Sequence, residues 1–294
     1  MIVLTGPTGN IGTELLLRLS AEADPPPYRI AAHSPERLRA RLGRDLPAVA
    51  FDYDDRSTWP AVLDGATSLF LLFPLPSPRT VRTRMEPFID AAVAAGVRHI
   101  VYISVPGAQA GPIVPHNRVE NRIRAGGADF TILRCGFFMQ NLCRAVSTHG
   151  VDIVERGEVF IPAGRGRTAF LDARDVAEAV RTVLDDPAAH AGRTYTLTGP
   201  ESLDMDEAAS LLSTALERPV RYTRPSPPRF AARLLRRGVS WDTVGFMAIV
   251  YTLTRWNRNA ALTATLPELL GRPATTMAEW ARDYRAVFDE RAWT

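Results

Sequence analysis

The chain begins MIVLTGPTGNIGTELL, a short apolar run, then glycines at 6, 9 and 12, then a leucine-rich segment. No other feature narrows the fold as much. An apolar run entering a Gly-x-x-Gly-x-x-Gly turn that opens a helix is the pattern of a dinucleotide-binding strand–turn–helix. Its helix N-terminus offers N–H groups and partial positive charge to an anion. In that pattern Gly6 allows the tight turn and Gly9 lets backbone approach a pyrophosphate. Gly12 allows the helix to pack closely on the strand. Three spaced glycines in a chain with 20 of them are a weak signal alone, so the surroundings decide.

The surroundings fit. "RIAAH" (29–33), "AVAFD" (48–52), "SLFLLF" (68–73), "HIVYISV" (99–105) and "DFTILR" (129–134) follow as short apolar runs. Between them lie amphipathic stretches. "NIGTELLLRLSAEA" puts Ile11, Leu15, Leu16 and Leu19 on one helical face, and a helix around 79–95 does the same with Met85, Phe88, Ile89 and Ala92. A third helix is expected near 115–125. This alternation predicts an α/β fold with a doubly wound parallel sheet of the Rossmann kind, its ligands outside the carboxyl ends of the strands. A helix over 172–186 and a strand over 194–199 extend the sheet. Beyond residue 200, helices at 204–216, 228–237, 243–257 and 277–289, with a strand and turn at 219–228, predict a smaller, mostly helical substrate lobe. The expected division is 1–153 and 168–199 for the NAD(P)-binding domain, with 154–167 and 200–294 for the lobe.

Composition removes several function classes. No apolar run reaches the ~20 residues of a membrane helix, and the N-terminus has no basic region of a signal peptide. A cytoplasmic location is the expectation, with no membrane partner. The two cysteines, Cys135 and Cys143, supply neither a disulfide framework nor a multi-cysteine metal site, and no metal is expected. The net charge is +3, and the basic stretches "RLRARLGR" (37–44) and "ARLLRRG" (232–238) read as solvated helix faces rather than a nucleic-acid patch. There is no lysine, so all 35 Lys+Arg residues are arginine. A Schiff-base lysine and the Tyr-x-x-x-Lys dyad of ordinary short-chain dehydrogenases are therefore excluded. Arginine cannot stand in for a lysine that must titrate.

The end of the second strand distinguishes the dinucleotides. An acidic residue there would take the ribose hydroxyls and repel a 2′-phosphate. This chain has "RIAAHSPERLRAR" instead, with His33, Ser34 and Arg37, groups that suit a phosphate. NADP(H) is expected ahead of NAD(H). Asp52 and Tyr53, after the third strand, either line the adenine edge or close a turn.

These segments resemble the NmrA-like family of atypical short-chain dehydrogenases. The resemblance rests on "LTGPTGNIG", "GVRHIVYISVPGA" (96–108), "HNRVENRIRAGGADFTILRCGFFMQNL" (116–142), "FLDARDVAEAV" (170–180), "YTLTGPESL" (195–203) and "LPELLGRPATTMAEWARDYRAVF" (266–288). It implies that Gly6, Thr8, Gly9, Asn10 and Ile11 hold the pyrophosphate. It also implies that Phe73 and Pro74, then Ser104, Val105 and Pro106, flank the cofactor ribose. Cys135, Gly136, Phe137 and Phe138 would pass beside the nicotinamide, with Phe137 or Phe138 as an apolar wall. Relatives often carry an arginine near the His33 position, from which this chain departs.

A catalytic group is harder to find. The isoflavone-type reductases of that family use a lysine, and His116 falls at about its place. A histidine titrates near neutral pH, so His116 could act as an acid or orient a substrate. Alternatively it starts a helix and bonds Glu120 one turn later. Tyr102 reads as core, and Cys135 as a small buried residue rather than a nucleophile. Phe230, Trp241, Phe246, Tyr251 and Trp256 either line a substrate pocket or fill the lobe's core. The leading expectation is an NADP(H)-dependent oxidoreductase acting on a small apolar carbonyl, enone or quinone. The alternatives are a non-catalytic NADP(H) sensor with a protein partner, or a redox-neutral isomerase or cyclase using His116. A homodimer is left open.

Overall fold

The computed structural model describes residues 1–74, 77–112, 114–143 and 148–288. They fold as two compact units, Met1–Cys135 with Val176–Thr196, and Gly136–Asp175 with Leu197–Thr294.

The first unit is built on seven strands: β1 (Ile2–Leu4), β2 (Tyr28–Ala32), β3 (Ala48–Ala50), β4 (Ser68–Leu71), β5 (His99–Ser104), β6 (Asp129–Cys135) and β7 (Arg193–Leu197). Their order is β7–β6–β5–β4–β1–β2–β3, and the pairings from β3 through β1 to β6 are parallel. In register, Val3 lies opposite Arg29 on one side and Leu69 on the other. Strands β1, β4 and β5 are buried along their whole length, as sheets covered on both faces require. This is the doubly wound α/β fold that the strand–helix alternation predicts. The winding reverses between β1 and β4, and a doubly wound fold takes its ligand at the carboxyl ends of such a switch point.

The helices follow the apolar periodicity. Helix α1 (Asn10–Leu19) buries Ile11, Leu15, Leu16 and Leu19, the face read from sequence. Helices α2 (Pro35–Leu42), α3 (Glu86–Ala94) and α4 (Pro115–Ala125) complete the part of the unit that positions the site. The single helix expected over 79–95 is interrupted: Pro78–Thr80 leads into a π segment, Val81–Met85, before α3. Pro87 has no N–H to return to the Thr83 carbonyl, and a widened turn accommodates the missing bond. Met85, Phe88, Ile89 and Ala92 are still buried.

The second unit holds a three-stranded sheet in which Thr168–Leu171 lies between Phe137–Phe138, parallel to it, and Ser202–Leu203, antiparallel. Glu158–Val159 and Arg221–Tyr222 make a small parallel pair. Helices α5 (Thr148–Arg156), α6 (Met205–Leu216), α7 (Pro227–Arg236), α8 (Trp241–Arg255) and α9 (Met277–Asp283) surround them. Four of these were expected from periodicity, whereas α5 and the helix Thr265–Leu270 were not. Residues 136–153 and 168–175, assigned by sequence to the first domain, belong to this unit. The reason is packing: Met139, Leu142, Ile153 and Phe170 share one core with Leu212, Phe230 and Trp280. Residues 289–294 of the expected lobe lie outside the described residues. Among the described residues no helix is long and apolar enough to cross a membrane.

Candidate cofactor site

The glycine turn is a closed piece of backbone. Gly6 has φ +63°, a left-handed conformation that side chains disfavour, and a Cβ there would sit 2.7 Å from Leu72 Cδ1. The Gly6 carbonyl accepts the Gly9 N–H at 3.0 Å. That same carbonyl occupies the space beside Gly12, where a Cβ would lie 2.1 Å from the oxygen. Gly6 and Gly12 are thus demanded by the turn itself. Gly9 is not: its Cβ would meet only the Gly6 oxygen at 3.3 Å and Leu72 Cδ1 at 3.7 Å. Gly9 caps α1 in extended conformation. Internal packing demands Gly9 far less than its neighbours.

The other expected residues of this unit follow the strand ends. His33 and Ser34 succeed β2, Asp52 and Tyr53 succeed β3, and Phe73 and Pro74 succeed β4. Ser34 caps α2, its hydroxyl accepting the Arg37 N–H at 3.4 Å, while the Arg37 side chain is exposed. His33 Nε2 lies 3.5 Å from Asp52 Oδ2 on an exposed surface, so the histidine has a carboxylate neighbour with which a phosphate would have to compete. Asp52 also closes its own turn, Oδ1 accepting the Asp54 N–H at 2.8 Å. Tyr53 donates its hydroxyl to the Leu72 carbonyl at 3.3 Å and packs edge-on to Phe51. Asp52 therefore closes a turn after β3, with Tyr53 beside it.

After β5 the picture changes. Ser104, expected at the ribose, is buried and donates its hydroxyl to Glu120 Oε1 at 2.6 Å. Glu120 is fully buried on α4 and takes a two-pronged bond from Arg134, at 2.9 and 2.6 Å, with Arg124 at 3.1 Å. Burial pushes the Glu120 carboxyl up, but Arg134, Ser104 and Arg124 outweigh it and hold it below the ordinary carboxylate range. The Ser104 hydroxyl is thus committed to a structural brace, and Val105 and Pro106 are the half-exposed residues beyond it.

His116 opens α4 behind Pro115 and is buried. Its partner is not Glu120: Nδ1 lies 2.7 Å from the Tyr102 hydroxyl, and Phe73 meets the imidazole edge-on at 4.9 Å. Burial lowers its pKa to about 4, with the Glu120 charge pulling weakly the other way. The expectation of a neutral-range titration is corrected, because desolvation disfavours the imidazolium. Tyr102 is fully buried in β5, as core, yet it is also the hydrogen-bond partner of His116. No local pattern announces this pair, since its members sit on a strand and a helix.

Cys135 is buried at the end of β6, and its thiol is pushed up by burial, which leaves no thiolate nucleophile. In the second unit, Phe137 packs against Phe170 and Tyr251, with ring centroids 5.4 and 6.3 Å away. Tyr251 is bonded through its hydroxyl to His149, and Phe230 stacks on His149. The lobe's aromatic set divides: Phe230 and Tyr251 are core, whereas Trp241 and Trp256 are 75% and 66% exposed, and Phe246 is exposed too. Two segments of the resemblance also meet in this unit. Gln140 Nε2 donates to Asp172 Oδ1 at 2.7 Å, and both side chains are fully buried.

The chain is similar to known proteins over nearly its whole length. An NAD(P)H azoreductase of Xenophilus azovorans is 33% identical over 294 residues, covering 98% of this chain and 99% of that protein. A (4-alkanoyl-5-oxo-2,5-dihydrofuran-3-yl)methyl phosphate reductase of Streptomyces griseus is 31% identical, with 98% and 99% covered. The crystal structure of an NADPH-dependent quinone oxidoreductase of Escherichia coli complexed with NADPH matches with a TM-score of 0.82 and 26% identity, over 96% of this chain and 99% of that one. The NmrA-like family pattern itself matches residues 1–246. The chain belongs to the NmrA-like family.

Proposed function

We propose that the protein is an NADP(H)-dependent oxidoreductase that reduces a small, fairly apolar carbonyl, enone or quinone. One juxtaposition carries this reading. A glycine turn whose N-cap Gly9 is not demanded by packing stands at the switch point of a parallel sheet, in a chain two of whose full-length relatives are named as reductases. The turn fits a dinucleotide: Gly6 and Gly12 close it, and Gly9 keeps side chains away from the head of α1. In this reading Gly6, Thr8, Gly9, Asn10, Ile11 and Gly12 hold the pyrophosphate. Ser34 and Arg37, with His33, meet the 2′-phosphate, and Asp52 and Tyr53 border the adenine. Phe73, Pro74, Val105 and Pro106 flank the ribose. The wall of Cys135 to Phe138 beside the nicotinamide is part of the same proposal.

A nicotinamide bound there would supply the hydride. A His116 whose pKa is about 4 is a neutral imidazole at neutral pH, so it orients groups rather than delivering a proton as imidazolium. With no lysine in the chain, the proton for the reduced acceptor comes from solvent. That suits an avid hydride acceptor and makes positioning the protein's main contribution. The test is NADPH oxidation, followed at the nicotinamide absorbance, against a panel of quinones, enones and azo dyes. Turnover with at least one class is expected; no oxidation across the panel removes the reading.

The buried, neutral His116 also favours a second reading, a non-catalytic NADP(H) sensor. A sensor binds oxidised and reduced cofactor with clearly different affinity and retains a protein partner. Equal affinities with no partner captured dismiss it.

A further inference from the structure

The segment "PPRFAARLLRRG" (227–238) reads in sequence as a solvated basic face, but the structure gives it a definite surrounding. Arg229, Arg233 and Arg236 recur at helical spacing along α7, Arg237 follows, and Arg156 closes α5. These five side chains line one pocket of about 310 Å³. Asp152, one turn before Arg156 and buried, is the common partner of Arg156, Arg233 and Arg237. Its Oδ1 accepts Arg233 Nη1 at 2.8 Å and Arg237 Nη2 at 2.7 Å, and its Oδ2 accepts Arg237 Nη1 at 3.0 Å. Arg156 Nε stands 3.8 Å from the same carboxylate. Arg233 also reaches Glu158 at 2.9 Å and lies over the Phe160 ring.

The charges do not balance. Among the described residues, Asp152 and Glu158 are the carboxylates bonded to the five guanidinium groups of the lining, which leaves three positive charges, five minus two. Among the described residues no carboxylate is paired with Arg229 or Arg236, and the neighbouring Glu155 is exposed and outside the lining. Gathering like charges in a concavity focuses the field and attracts a counter-ion. The buried Asp152 fixes Arg233 and Arg237 beforehand, so little ordering remains when an anion arrives. Guanidinium forks match the oxygens of phosphate in a two-pronged fashion. The pocket is half open, and its volume, at the lower end of the ~300–1,000 Å³ of small-ligand pockets, suits a compact ligand. A nucleic acid needs an extended basic stripe instead.

We propose that this pocket binds a multivalent oxyanion of small-molecule size, a phosphate ester or diphosphate. It lies in the second unit and shares no residue with the candidate cofactor site, so it stands whether or not the oxidoreductase reading does.

Inorganic pyrophosphate is the probe, titrated calorimetrically into the intact protein alone and then again with NADPH present, the second titration identifying any binding at a dinucleotide site. The comparison protein carries Arg229→Ala and Arg236→Ala, exposed residues that leave the Asp152 pairs intact. The expected result is saturable binding by the parent that weakens at least ~10-fold in the double variant and also with added salt, at unchanged melting temperature. If the double variant melts early, the single Arg229→Ala and Arg236→Ala proteins replace it, each expected to weaken binding ~3-fold or more. Absence of saturable binding, or equal affinity in parent and variants, overturns the proposal. So does an oligonucleotide that displaces pyrophosphate with affinity rising with its length, which marks an extended polyanion surface.

Discussion

The Tyr102 hydroxyl lies 2.7 Å from His116 Nδ1, and both side chains are buried. Phe73 covers the imidazole from the end of β4, so the pair ties β5, α4 and the β4 loop together at one point. Tyr102→Phe keeps the ring and removes the hydroxyl. It leaves an imidazole nitrogen without its partner, at a cost of about 1–3 kcal/mol. Urea unfolding should show a lower midpoint with an unchanged slope. Equal midpoints would mean that the bond contributes nothing.

Stability should fall on mild acidification. Burial lowers the pKa values of His116 and His149 to about 4 from an ordinary 6.5. Between those values the unfolded chain binds protons that the folded chain does not, so stability rises with pH across the window. It is complete above pH ~6.5, and by pH 5 each histidine should have cost on the order of 2 kcal/mol. His99 is shifted in the same direction. Glu120, whose folded pKa is lowered, adds a loss only as pH falls through that depressed value. Unfolding free energies at pH 7.5 and 5.0 test this; a flat profile would show that the imidazoles are hydrated.

The three glycines should separate by experiment. Gly12→Ala places a methyl 2.1 Å from the Gly6 carbonyl oxygen, so either the turn or α1 must shift. A loss of about 3 kcal/mol or more is expected, seen as a lower melting temperature. Gly9→Ala meets that oxygen at 3.3 Å, a smaller intrusion. It should melt within a few degrees of the parent and lose about 10-fold or more in NADPH affinity. If Gly9→Ala binds NADPH like the parent, the turn is not the phosphate site.

Arg37 stands exposed, its backbone N–H held by the Ser34 cap. Charge reversal by Arg37→Glu should weaken NADPH about 10-fold while changing NADH much less, because only NADPH carries the 2′-phosphate. The measurement is a pair of dissociation constants by fluorescence. Parallel losses for the two cofactors would take Arg37 out of the recognition of that phosphate.

What the sequence determined by itself was whatever depends on near neighbours. The strand, the glycine turn and the apolar face of α1 are written within the first 19 residues, because backbone conformation and helical periodicity are short-range. The same holds for the buried face of Met85, Phe88, Ile89 and Ala92. The absence of lysine likewise needs no structure. Only the tertiary structure decided what depends on partners far apart in the chain. It gave His116 a tyrosine instead of Glu120, and it turned Ser104 toward Glu120 and Arg134. It drew Met139, Leu142 and Ile153 into the second core and set Arg156 beside four arginines more than 70 positions later. Burial, and with it the pKa of an imidazole or the worth of a charge, is a property of the packed neighbourhood, which no local window of sequence contains.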